Sequence, residues 1–211
     1  ELGAEHTYGL EGSLGYMTDK GELKFTSYQN YSPNYHLSKV MGAGYEPGAD
    51  WIEWGSGSAG WLYIYQMSGL EVYIHGYESE FSYRLNDIIR FDGSFSATRG
   101  ENLTDNSSLY YMPPDRILLS TEINLLPFSI NLMHKKVFSQ NRIGLYESST
   151  PGYETYNLIG TYTIRNSRAV HKIILQIDNV FDRKYYNHLS RIKSIMPEKG
   201  RNIGLQYRLN F

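Results

Sequence analysis

Six histidines, no cysteine and a scatter of carboxylates bound the chemistry open to this 211-residue chain. The histidines are His6, His36, His75, His134, His171 and His188, and no two stand at i, i+4 or any other recurrent ligand spacing. His36 and His188 fall near long connections, where a neutral imidazole can ligate haem iron or zinc, or simply be solvated. The absence of Cys excludes a disulfide scaffold and a thiolate metal site. No G-x-S-x-G, P-loop or GxGxxG occurs. No catalytic role, resident metal or cofactor is expected.

A second cluster is aromatic. In "GYEPGADWIEWGSGSAGW", Trp51 and Trp54 sit among Glu46, Asp50 and Glu53, with Trp61 at the exit. Exposed Trp beside carboxylates can form a ligand vestibule, or the loop can pack on its neighbours. Together with Tyr186, the candidate ligand contacts are His36, Trp51, Trp54, Tyr186 and His188.

The elements that must position these residues are strands. The closing stretch "RNIGLQYRLNF" sets Ile203, Leu205, Tyr207, Leu209 and Phe211 against Asn202, Gly204, Gln206, Arg208 and Asn210. This period of two gives one oily and one wet face. It recurs at Tyr8–Tyr16, Leu23–Tyr31, Ile89–Arg99, Arg116–Leu125, Phe128–Phe138, Tyr153–Ile164 (with Ile159 off-phase) and His171–Asp182. Trp61–Leu85 reads as one long strand or two around Ser68-Gly69, giving about ten strands. Short turns at Asp19–Gly21, Asn86-Asp87, Leu126-Pro127 and Arg165–Val170 alternate with long links at Ser32–Gly60, Gly100–Pro113, Asn141–Gly152 and Arg183–Gly200. That alternation describes an all-β, transmembrane antiparallel up-and-down barrel.

A soluble sandwich also alternates, with its oily face inward. Two features favour lipid outside. The wet faces carry mostly Gly, Ser, Thr, Asn, Asp and Arg, as a water-filled lumen would. The 20 Tyr and 8 Phe recur near strand ends, among them Tyr8, Tyr16, Tyr28, Tyr73, Tyr83, Phe128, Tyr162 and Phe181, as interfacial girdles do. No run approaches the roughly 18 apolar residues of a transmembrane helix. The net charge of −2 gives no field for nucleic acid.

On the oily face, His134 and Lys136 are tolerated only near an interface, where lipopolysaccharide phosphates are the natural contact. A membrane-facing catalytic His, as in an outer-membrane phospholipase, needs Ser and a carboxamide on the same face, but Ser120 and Ser139 have the opposite parity. A barrel-mouth protease needs Asp/His pairs, and no spacing favours Asp105, Asp115 and His188. The wet face carries Arg84, Arg90, Asp92, Arg116, Glu122 and Asp178.

The final stretch carries a resemblance. In "LQIDNVFDRKYYNHLSRIKSIMPEKGRNIGLQYRLNF", Asn179, Phe181, Asp182 and Tyr185 spell N-x-F-D-x-x-Y. Pro197, Gly200 and Arg201 follow as P-x-x-G-R, then alternation to a terminal aromatic. This resembles the C-terminus of TonB-dependent outer-membrane receptors; "FTSYQNYSPNYHL", "IHGYESEFSYRL" and "MPPDRI" extend the likeness more loosely. The resemblance implies a multi-pass, 22-stranded barrel of a Gram-negative outer membrane with a plug inside. It implies uptake of a scarce nutrient such as a ferric siderophore, haem or another metal chelate, driven by TonB–ExbB–ExbD through a TonB box. Residues 1–211 would then be the C-terminal part of the barrel, without plug or TonB box. It also implies that Ile203, Leu205, Tyr207, Leu209 and Phe211 address the chain to the barrel-assembly machinery. The alternative is a small self-closed barrel acting as an enzyme or adhesin.

Overall fold

The computed structural model describes residues 2–42, 64–144 and 147–211. These form one antiparallel sheet of ten strands and no helix. The strands are β1 (Tyr8–Thr18), β2 (Gly21–Gly42), β3 (Ile64–Arg84), β4 (Ile89–Asn102), β5 (Ser107–Ser108), β6 (Arg116–Leu125), β7 (Phe128–Val137), β8 (Tyr153–Arg165), β9 (Val170–Asp178) and β10 (Asn202–Asn210). The spatial order is β1-β2-β3-β4-β6-β7-β8-β9-β10, with the two-residue β5 appended to β4. Each long strand pairs with the next in sequence, the up-and-down meander expected. The sheet does not close, so β1 and β10 are its edges.

The register carries the two faces unbroken across the sheet. One row runs Tyr16–Leu23–Phe81–Gly93–Leu119–His134–Tyr156. Beside it runs Met17–Glu22–Ser82–Asp92–Ser120–Met133–Asn157, on the opposite face. Among the described residues no second layer covers the oily rows: Leu14 is 77% exposed and Leu205 75%. Rings gather at both ends of that face. Phe128 lies 4.8 Å from Tyr162 at the turn end, and Phe181 meets Tyr156 edge-on at 5.2 Å at the loop end. Tyr28 departs from this set: it points to the wet face, where its hydroxyl meets Thr98 Oγ1 at 2.7 Å.

The structure selects one of the two readings of Trp61–Leu85 and departs from the sequence reading in two further places, each with a local cause. Trp61–Leu85 contains one strand, Ile64–Arg84, continuous through Ser68-Gly69. β2 runs on to Gly42, into a stretch read as loop. A bulge explains this: Ser32 pairs with Val72 but Tyr35 with Leu70, so Pro33-Asn34 inserts one extra residue and flips the phase. Past the bulge, Tyr35 and Leu37 pack against Leu70, Val72 and Leu109, with Ile74 and Met112, in the buried apolar cluster at the loop end. Finally, β9 stops at Asp178 because Asn179 turns to φ 50°.

Gly76 is required by close approach. The Tyr28 ring crosses it to reach Thr98, and a Cβ there would collide with Tyr28 and lie 2.6 Å from the Ala97 carbonyl. Gly160, by contrast, has nothing within 4 Å of such a Cβ. Gly76→Ala is therefore expected to destabilise the sheet by about 1–3 kcal/mol, read as a lower midpoint in thermal unfolding of the intact protein. Gly160→Ala should leave the midpoint in place, and equal effects would contradict the packing account.

Candidate functional site

Two surfaces can meet a ligand: the wet face of the sheet and the loop end above it. The wet face is polar and self-tied. Arg90 donates from Nε and Nη2 to Asp92 Oδ1 at 3.0 and 2.8 Å. Arg116 Nε reaches Ser96 Oγ at 2.9 Å, Asn124 donates to Glu122 at 2.9 Å, and Gln176 to Asp178 at 2.9 Å. These hydrogen bonds are solvent-exposed, so the face stays charged and wettable while its side chains are held in place.

At the loop end, the N-x-F-D-x-x-Y and G-R residues form a staple between β9 and β10. Asn179 is 4% exposed and sits at φ 50°, a conformation that Asn tolerates better than most residues. Its Oδ1 accepts from Arg183 N at 2.8 Å and its Nδ2 donates to the Arg183 carbonyl at 2.9 Å. Asn157 Oδ1 accepts from the Asn179 amide at 2.9 Å, which ties the turn to β8. Asp182, at φ 53°, accepts from Arg201 N at 2.7 Å. A Cβ at Gly200 would lie 2.7 Å from that carboxylate. Tyr185 stacks on Tyr153 at 4.3 Å. The motif thus closes a 23-residue excursion, residues 179–201, by backbone capture.

Above the staple, three loops meet in a buried ionic knot. Glu147 Oε1 lies 3.0 Å from His188 Nε2 and 2.9 Å from Lys193 Nζ, and the same carboxylate accepts from the amides of Tyr111 and Gly144 at 3.1–3.2 Å. His188 Nδ1 meets Thr150 Oγ1 at 2.9 Å and Lys193 Nζ at 3.3 Å. The Lys193 ammonium lies 5.6 Å from the centre of the Tyr111 ring. His188 is 1% exposed, the Glu147 side chain 4% and Lys193 7%. Burial, and then the Lys193 ammonium, hold the His188 imidazole below its ordinary value.

Of the predicted ligand contacts, the described ones, His36, Tyr186 and His188, each have partners of their own. His36 lies within β2, where its Nε2 meets the Gly3 carbonyl at 2.8 Å and its backbone N donates to Glu5 at 3.1 Å. His188 is neither solvated nor open to a metal: both ring nitrogens are engaged. Tyr186 is half-buried, with Lys184 Nζ 5.9 Å from its ring centre. Trp51 and Trp54 lie outside the described residues. Ile203, Leu205, Tyr207 and Leu209 share the oily face of β10, paired with Ile177, Leu175, Ile173 and His171, and Phe211 is 99% exposed. His134 and Lys136 lie on the oily face at its loop end, both held by Glu154 at 3.3 and 2.9 Å. Ser120 turns to the other side of the sheet, where it donates to Asn131. Asp115 is engaged by Arg99 and His188 by Glu147, so no Asp/His pair forms between them. No group of three metal-ligating side chains occurs among the described residues. The sequence reading missed Glu147 and Lys193, which no spacing marked.

No protein-family model matches the chain. Among solved structures, the copper transporter OprC superposes with a TM-score of 0.78 at 23% identity, over 96% of this chain and 31% of that one. The pyoverdine outer membrane receptor FpvA from Pseudomonas aeruginosa PAO1, bound to pyoverdine, gives 0.72 at 15% identity, over 100% and 30%. The ferric citrate transporter FecA, unliganded, gives 0.70 at 14%, over 95% and 30%. These are TonB-dependent outer-membrane receptors, and the chain shares the fold of a part of them. It spans under a third of each.

The staple generates a prediction. Asn179→Ala removes the side-chain hydrogen bonds to Arg183 and to the Lys199 carbonyl and keeps a strained φ, a loss of about 2–3 kcal/mol. Limited proteolysis of the intact protein should cut within residues 183–200 markedly faster, with strand peptides unaffected. An unchanged cleavage rate would show that the staple does not hold the loop.

Proposed function

We propose that this chain is the C-terminal part of the barrel wall of a TonB-dependent outer-membrane receptor, which takes up a scarce nutrient such as a ferric siderophore, haem or another metal chelate. The observation that carries this reading is the unbroken separation of faces over nine long strands, with an uncovered oily side and a polar, charge-bearing side. The likeness in fold to outer-membrane transporters and receptors supports it, as does the stapled motif before β10.

On this reading the oily face meets hydrocarbon, and the wet face meets solvent or a plug contributed by sequence beyond these residues. Arg84, Arg90, Asp92, Arg116, Glu122 and Asp178 suit docking of such a plug, through which TonB–ExbB–ExbD would act. Further strands on the two free edges would complete the barrel. Lys136 and His134, fixed by Glu154, stand where lipid headgroups end the hydrocarbon and suit lipopolysaccharide phosphates. Ile203, Leu205, Tyr207 and Leu209 lie on a free edge strand, with Phe211 just past its end, and the set suits strand addition by the barrel-assembly machinery.

Two experiments test this reading. In cells starved of iron or copper, uptake of metal chelates by the intact protein should vanish when the inner-membrane energy transducer is deleted. Metal analysis and mass spectrometry of the purified protein then identify the cargo. Uptake that persists without the transducer would overturn the energised-transport reading. Separately, deleting Phe211 is expected to lower outer-membrane yield without changing ligand affinity in the fraction that assembles. Undiminished yield would remove the assembly role.

A further inference from the structure

The ionic knot at the loop end balances its charge only while His188 is neutral. With a neutral imidazole, His188 Nε2–H donates to Glu147, while Nδ1 accepts from the Thr150 hydroxyl and the Lys193 ammonium at 2.9 and 3.3 Å. Glu147 and Lys193 then cancel each other's charge, and every polar atom has a partner. A proton on Nδ1 would turn to the Thr150 hydroxyl, but it would charge an imidazole whose two nitrogens lie 3.3 and 3.4 Å from the Lys193 ammonium, inside a site that water does not reach. The knot would then hold two cations against one carboxylate, a net charge that burial penalises.

The groups that face His188 come from two loops. Residues 138–152 supply Glu147 and Thr150, and residues 179–201 supply Lys193. Residues 103–115 join through Tyr111, whose amide binds Glu147 and whose ring underlies Lys193. The Gln140 side chain also donates to the Met112 carbonyl, and Arg142 approaches Asp115 at 3.9 Å; neither contact involves the imidazole.

We propose that Glu147, His188 and Lys193 form a proton-released clasp, which holds these three loops as a single body near neutral pH and frees them from one another in acid. Opened loops expose His188 to water, where it titrates near its ordinary value of about 6.5. Clasped loops hold it neutral to lower pH. The clasp is therefore fully stable above about pH 6.5 and weakens as pH falls below it, by up to about tenfold per pH unit for one proton. A metal-ligand role for His188 is incompatible with this arrangement, since both ring nitrogens are occupied. The proposal concerns loop coupling alone, so it stands or falls apart from the transport reading.

Hydrogen–deuterium exchange on the intact protein in bilayer discs at pH 7.5 and 5.0, corrected for intrinsic exchange, tests it. Peptides covering Tyr111, Gly144 and 188–193 should be protected together at pH 7.5 and exchange at least about tenfold faster at pH 5.0, while β6 and β7 peptides hold. Glu147→Gln should expose all three loops at both pH values. His188→Gln should abolish the pH dependence whatever its baseline protection. The proposal is overturned if wild-type loops are equally protected at both pH values, if they respond separately, or if His188→Gln keeps the wild-type pH response. The β6 and β7 peptides serve as the folding control for each variant.

Discussion

Every backbone amide and carbonyl that enters hydrocarbon must find its partner inside the protein, and an unpaired group there costs several kcal/mol. An antiparallel meander with two-to-four-residue turns meets that demand over its interior, because each strand pairs with the one just made. Here eight successive long-strand pairings do so. The demand also sets where irregularity is allowed. The two register shifts of the β2–β3 pair, at Ser32/Tyr35 and at Val40/Gly42, and the left-handed turn at Asn179 all lie at the loop end. At the turn end the sheet ends in tight reversals closed by their own side chains, such as Thr18 receiving the amides of Lys20 and Gly21.

Given that constraint, side chains divide the labour. The oily face needs only to be apolar and of suitable length, and among the described residues no second layer covers it. The wet face is polar without being loose, because neighbouring residues two apart on one strand bind each other. The loop end builds its own small interior instead: an apolar cluster around Val72 and Leu109, and an ionic knot around Glu147. Such buried charges are weak as sources of stability but demanding in geometry, which suits them to fixing how loops sit relative to one another.

The strands were legible because a period of two leaves its mark in every residue, and β6, β7 and β8 fall within a residue or two of where alternation placed them. The upper half of β2 was not, since one extra residue at Pro33-Asn34 reversed the phase and made a strand read as a loop. The double reading of Ile64–Arg84 arose from Ser68-Gly69, small residues that a strand pairs without difficulty. Of the candidate site, the Asn179 and Asp182 staple was visible only as a motif, and its hydrogen bonds supply the physical reason for each letter. The Glu147–His188–Lys193 knot left no mark, because its members come from loops whose approach is set by the sheet beneath them. His188 was picked out for reactivity, and it is the most enclosed histidine described.

The central claim is that alternate side chains touch lipid and water. Since the chain contains no Cys, single Cys residues placed one at a time from Ile130 to Met133 can each carry a nitroxide in the intact protein in bilayers. Collision with oxygen should dominate at Ile130 and Leu132, and collision with a water-soluble nickel chelate at Asn131 and Met133. A flat profile, or nickel access at Ile130 and Leu132, would contradict the lipid-facing assignment and the account built on it.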